Sequence, residues 1–109
     1  MRGDVVTVAA PGDYGKPRRA VIVQSDVMPA DSASVVICQM TSEIAEHAVD
    51  YRVIIEPSAS NGLRVRSQVM ADKPVTVRRD RIGQAIGRLS ARDIRRLDIA
   101  LAFVMGLAD

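Results

Sequence analysis

Apolar residues fall in short, β-branched runs closed by turn-forming residues until the last quarter of the chain, where the spacing becomes helical. Asp4-Val5-Val6-Thr7-Val8-Ala9-Ala10 predicts an opening strand. Pro11-Gly12-Asp13-Tyr14-Gly15 ends it with turn chemistry that predicts a flexible loop. Lys16-Pro17-Arg18 then feeds the run Arg19 to Ser25, a strand with guanidinium groups held at its mouth. Ser34 to Met40 is nearly apolar throughout, which predicts a strand buried on both faces and ending at Thr41-Ser42-Glu43. Residues 43–50 fit either a helical turn or a loop. Tyr51 to Glu56 reads as a strand, and Asn61-Gly62 after it is a strong turn signal, because both residues tolerate positive φ. Leu63 to Met70 alternates less cleanly and is broken at Ala71-Asp72-Lys73-Pro74. Val75 to Arg79 predicts one more strand, and Ile82 to Arg88 a short extended piece bent at its glycines.

The period changes at Ser90, a good N-cap, with Asp93 at the acidic third position of a capping box. Ile94, Leu97, Leu101 and Val104 or Met105 recur at helical spacing, with Arg92, Arg95 and Arg96 toward the other side. From Ile99 to Leu107 no side chain is polar. A helix apolar all round must be covered all round, and so small a barrel covers only part of it. The expectation is a homodimer in which a second copy covers the rest. Short strands followed by one helix predict a mainly β fold with a C-terminal α-helix, a small compact β-barrel. At 109 residues the chain reads as a single domain, 1–109.

Net charge is only +2, so bulk charge does not mark a polyanion binder. The basic residues are nevertheless clustered, at Lys16 to Arg19, Arg64/Arg66, Arg78/Arg79/Arg81 and Arg88/Arg92/Arg95/Arg96. With two Tyr, one Phe and no Trp, a broad base-stacking platform is excluded. The lone Cys38, inside Val35-Val36-Ile37-Cys38, reads as a buried hydrophobe. One Cys and one His do not make a Cys/His zinc site, and no cofactor is expected. The longest apolar run is too short to span a bilayer, so the expectation is a soluble, cytoplasmic protein.

The sequence holds no Gly-rich phosphate loop opening a helix and no Gly-x-Ser-x-Gly elbow. His47 sits in a polar segment and reads as surface. What remains is Arg18 at one strand mouth, the hydroxyl pair Thr41-Ser42 after another, and Asp72-Lys73 at a third. Cleaving RNA without a metal needs modest equipment, since the substrate's own 2′-hydroxyl is the nucleophile. The protein must position the phosphate, stabilise its added charge and move two protons.

Arg2-Gly3-Asp4-Val5-Val6, Lys16 to Asp26 and Val36-Ile37-Cys38-Gln39-Met40-Thr41-Ser42 resemble the signature blocks of the MazF/PemK toxins. Asn61-Gly62-Leu63-Arg64, Ser67 to Lys73 and Ile86-Gly87-Arg88-Leu89-Ser90 resemble later blocks in the same order. The resemblance covers nearly the whole chain. It implies an SH3-like barrel working as a homodimer, and a sequence-selective, metal-independent endoribonuclease of a type II toxin–antitoxin system. Such an enzyme cuts single-stranded RNA to 2′,3′-cyclic phosphate and 5′-hydroxyl ends, and a cognate antitoxin with an acidic tail neutralises it. Carried over by position, Arg18, Thr41 and Asp72 match catalytic positions, with Tyr14, Lys16, Arg19, Ser42 and Lys73 as RNA contacts. Two positions depart from the pattern. Arg19 stands where the family commonly has Pro, adding a second phosphate contact. Met70 stands where some members place an Arg, two residues before the acidic position.

Two rivals follow from the same resemblance. A gyrase-poisoning, CcdB-like toxin shares the fold, but that branch uses a C-terminal Trp and this chain has none. A non-catalytic barrel that only binds RNA or antitoxin would lack cleavage altogether.

Overall fold

The computed structural model describes residues 1–9 and 16–107, so the expected Pro11–Gly15 loop, with Tyr14, lies outside the described residues. The described strands are β1 (Asp4–Val8), β2 (Arg18–Ile22), β3 (Ser34–Thr41), β4 (Arg52–Ile55), β5 (Ser67–Arg78) and β6 (Ile82–Arg88). They form one antiparallel sheet in the order β4-β5-β3-β2-β1-β6. Helix α1 (Ala91–Met105) follows, and the undecided 43–50 segment contains a single 3₁₀ turn, Glu46–Ala48.

The central strands are apolar on both faces, as the unbroken run in β3 predicted, and each face has its own cluster. Val5, Val21, Cys38, Met40, Val69 and Ala71 pack with Leu97 and Ala100 of the helix. Val6, Val8, Ala20, Ile22, Val35, Ile37 and Val77 form the cluster on the opposite face. Successive side chains on a strand point to opposite faces, so neighbours such as Val5 and Val6 join different clusters. Each large aliphatic buried this way contributes about 1.5–3 kcal/mol.

One expected break proved to be a bend. Residues 67–78 run as one long strand, yet Cys38 faces Pro74 while Met40 faces Val69. Met70 to Lys73 therefore stand across from Gln39 alone, a bulge that curls the sheet at that corner. Pro74, with no N–H to offer, sits where regular pairing resumes.

The Asn61-Gly62 signal marks a turn within a longer loop, residues 56–66, rather than a two-residue hairpin. Buried Asn61 organises it: its Oδ1 accepts from the Ser58 and Leu63 N–H groups, and its Nδ2 donates to the Glu56 carbonyl. This loop meets β6, where the Arg88 N–H donates to the Ser60 carbonyl at 2.8 Å. Gly62, at φ 71°, and Gly87 let the two backbones touch; a Cβ at either would drive into the other segment's backbone. The loop thus brings the two edge strands, β4 and β6, around toward closure as a small barrel.

Helix α1 begins as expected, with the Ser90 Oγ accepting the Asp93 N–H at 3.1 Å, and ends at Gly106 in the left-handed conformation. Arg96 anchors it by donating to the Ile54 carbonyl and to Asp93. Ile99, Phe103, Met105 and Leu107 remain 50–79% exposed, the uncovered apolar face that the sequence predicted.

Candidate active site

Strand pairing brings the mouth of β2 against the end of β3. Val21 faces Cys38 and Ala20 faces Gln39; continued outward, the same register sets Arg18 level with Thr41 and Arg19 level with Met40. Alternation then places Arg18, Gln39 and Thr41 on one face and Arg19 on the other. A pocket of about 430 Å³ opens at this point, bordered by Arg18, Arg19, Gln39, Thr41, Ser42, Glu43 and, from β5, Ser67 and Met70. Its walls are mostly polar, as a phosphate requires.

Local bonding fixes the hydroxyl. Thr41 Oγ1 accepts the Glu43 N–H at 3.1 Å, and its own hydroxyl proton remains a donor for a group in the pocket. Gln68, opposite Thr41 on β5, is 1% exposed. Its Oε1 accepts the Ala45 N–H at 3.0 Å and its Nε2 donates to the Ala45 carbonyl at 3.1 Å. That double bond to one residue pins the 42–45 segment carrying Ser42 and Glu43. Gln68 is not among the candidate residues that the sequence singles out; a large polar side chain directly ahead of the apolar Val69-Met70-Ala71 was the available signal. Nor is Glu43, whose carboxylate is the one acidic group among the pocket's described lining residues.

Asp72 is held elsewhere. It stands on the bulge and is gripped by Arg52 of β4 through two bonds, at 3.0 and 3.3 Å, and it does not border the Arg18–Thr41 pocket. Partial burial works against its charge, but the hydrogen bonds from Arg52 and its own backbone, with the Arg52 and Lys73 charges, hold the carboxyl below its ordinary range. Lys73 lines the neighbouring pocket rather than this one. Lys16 is exposed just ahead of Arg18, and Tyr14 lies outside the described residues.

Cys38 is fully buried, and burial first, then the Asp72 charge, push its thiol up to about 11 against a smaller lowering by Arg2. It is an inert core residue. His47 is exposed on the 3₁₀ turn, away from the pocket. No cluster of three or more His, Cys, Asp or Glu side chains occurs among the described residues.

A small barrel that sets a guanidinium and an oriented hydroxyl around an open polar pocket is a frame for handling a phosphodiester. Comparison with known proteins agrees with that class. A family described as the PemK-like, MazF-like toxin of type II toxin–antitoxin systems matches residues 1–105, and the chain belongs to that family. It is 40% identical over 108 residues to a probable endoribonuclease MazF of Mycolicibacterium smegmatis, covering 98% of this chain and 97% of the relative. An endoribonuclease from a mycobacterial species, solved with its cognate antitoxin, superposes with a TM-score of 0.85 at 23% identity, covering 100% of this chain and 97% of the other. The Mycobacterium tuberculosis toxin MazF-mt6 gives 0.82 at 22% identity, covering 97% and 99%. A Deinococcus radiodurans MazE–MazF complex gives 0.75 at 17% identity, covering 98% and 96%.

Proposed function

We propose that this chain, a toxin endoribonuclease of the MazF type, cuts single-stranded RNA in the Arg18–Thr41 pocket without a metal. One observation carries the reading: the β2–β3 register and the polar pocket bring Arg18 and Thr41 to the same face. Arg18 binds the scissile phosphate and stabilises the charge that grows on its oxygens as the 2′-hydroxyl adds. Thr41 donates its proton to a phosphate oxygen and holds the group in line. Glu43 takes the 2′-hydroxyl proton, and the 5′-oxygen leaves protonated by solvent. The products are a 2′,3′-cyclic phosphate and a 5′-hydroxyl. Ser42 supplies a further phosphate contact, and Arg19, which leaves the strand on the opposite face yet borders the pocket at the strand's mouth, adds a weaker one at the rim; Asp72 keeps the β5 corner in shape through Arg52.

The reading includes two partners. A cognate antitoxin lays an acidic tail over the basic pocket and blocks RNA, since a carboxylate can occupy a site built for phosphate. A second copy covers the exposed helix face. No helix among the described residues is long and apolar enough to cross a membrane, and the reading puts the enzyme in the cytoplasm with its RNA. The gyrase-poisoning alternative has no structural observation in its favour.

The test is direct: purified protein is incubated with a long single-stranded RNA beside an Arg18→Ala variant of equal folding. Discrete cuts by the wild type and their loss in the variant support the reading. Intact RNA with both sinks it.

A further inference from the structure

We propose that the apolar pocket next to the Arg18–Thr41 pocket is a nucleobase subsite, and that Gln39 reads the edge of the base held there. The inference rests on the endoribonuclease reading above and goes further, to what selects the sequence that is cut. The pocket encloses about 490 Å³ and is walled by Met70 and Val75, with Lys73, Arg78 and Arg81 around it. Gln39 and Met70 border both pockets, so the two spaces are neighbours. In the proposed mode of binding, a nucleotide whose phosphate lies against Arg18 carries an adjacent base to this second pocket.

The bulge makes the space. Met70 to Lys73 stand across from Gln39 alone, so regular pairing lapses at this point, and Met70, Lys73 and Gln39 all line the pocket there. The other buried or half-buried glutamines of the central sheet region spend their amides on backbone: Gln24 accepts from the Val36 N–H, and Gln68 grips Ala45. The Gln39 amide makes no such bond among the described residues. A donor and an acceptor side by side, held on a rigid strand, match the paired groups on a base edge.

Chemistry picks the occupant. No acidic residue lines this pocket among the described residues, and Lys73 and Arg81 favour a polyanion, although Arg78 is engaged with Asp80 at 2.5 Å. Val75 is 42% exposed, an apolar surface offered to a planar ring. Single-stranded RNA is read in this way, by faces that stack and edges that hydrogen-bond, and Arg planes can serve where aromatics are scarce.

The experiment cuts a randomised single-stranded RNA pool with wild type, Gln39→Leu, Gln39→Glu and Val75→Glu, sequences the ends, and measures kcat/KM on the preferred site. The proposal expects both Gln39 variants to lose preference at one position beside the cut, by about tenfold or more. Val75→Glu should raise KM more than it lowers kcat. An unchanged cleavage profile in a folded Gln39 variant overturns the subsite while leaving the nuclease reading intact. Dissociation of a wild-type dimer by Val75→Glu also overturns it, because a second copy would then cover the pocket. Failure of the wild type to cut any RNA removes both readings.

Discussion

Arg18 and Thr41 share one face of the sheet because the β2–β3 register, continued outward from Ala20 and Gln39, sets them level, while Arg19 falls level with Met40 on the other face. That relationship favours Arg18 over Arg19, two residues that composition cannot tell apart. Arg18→Ala is expected to lower turnover about 10²–10³-fold, the usual cost of removing a donor aimed at developing charge. Arg19→Ala should cost clearly less. Single-turnover cleavage of a short RNA measures both, and the reverse ranking would move the site to the other face.

Thr41→Val removes the hydroxyl at nearly constant shape. Turnover should fall about tenfold or more while the thermal midpoint stays close to wild type, since the lost bond to the Glu43 N–H lies at the surface. Glu43→Gln removes the acidic group among the pocket's described lining residues and should lower the rate about 10²-fold. A folded Glu43→Gln that cuts at the wild-type rate would remove Glu43 from proton transfer.

Gln68→Leu leaves the Ala45 N–H and carbonyl without their partner in a buried site. The cost should be about 1–3 kcal/mol, readable as a lower urea midpoint. Activity should fall as well, because the 42–45 segment that presents Ser42 and Glu43 loses its anchor. Stability loss with full activity would show that the anchor does not position the site.

The Asp72–Arg52 pair ties stability to pH. The Asp72 carboxyl sits below its ordinary range in the folded protein, so its contribution is complete above the unfolded carboxylate pKa, near 4, and is lost as pH falls through the lower folded value. Asp72→Asn should cost about 1–3 kcal/mol at pH 7 and flatten this acid dependence, with a smaller effect on the chemical step than Arg18→Ala. Equal loss of cleavage in a folded Asp72→Asn would return Asp72 to the catalytic set.

Phe103 and Ile99 stand exposed on α1 beside a groove of about 510 Å³ that runs to β4. Light scattering at micromolar concentration should report twice the chain mass, and Phe103→Lys should shift it toward one. A wild-type monomer would leave the helix face for some other partner.

Much of this was legible in the residues. Short β-branched runs and the Ser90 start gave the barrel and its helix, and the unbroken β3 run announced burial on both faces. Arg18 and Thr41 were visible as a charge and a hydroxyl at strand ends. Their meeting depended on strand register, which no local pattern carries. The bulge at Met70–Lys73 looked like a chain break because Pro74 and Asp72 are poor strand formers; tertiary pairing on both sides carries the strand through. Asp72 was a candidate through the family resemblance alone; that the Arg52 side chain, 20 residues earlier on the neighbouring strand β4, holds its carboxylate is visible only in the fold. Gln68 and Glu43 escaped because their value lies in what they hold or border, which only the folded chain reveals.

In the proposed mechanism the substrate supplies its own nucleophile, and the Arg18–Thr41 pocket works without a metal. The measurement is cleavage, in EDTA, of an RNA carrying the preferred site, alongside the same strand with a single 2′-deoxy sugar at the scissile nucleotide. The expected result is full cutting of the first, with a 2′,3′-cyclic phosphate on the upstream fragment, and no cutting of the second; this mechanism requires both. Loss of activity in EDTA, or cleavage of the 2′-deoxy strand, would contradict it.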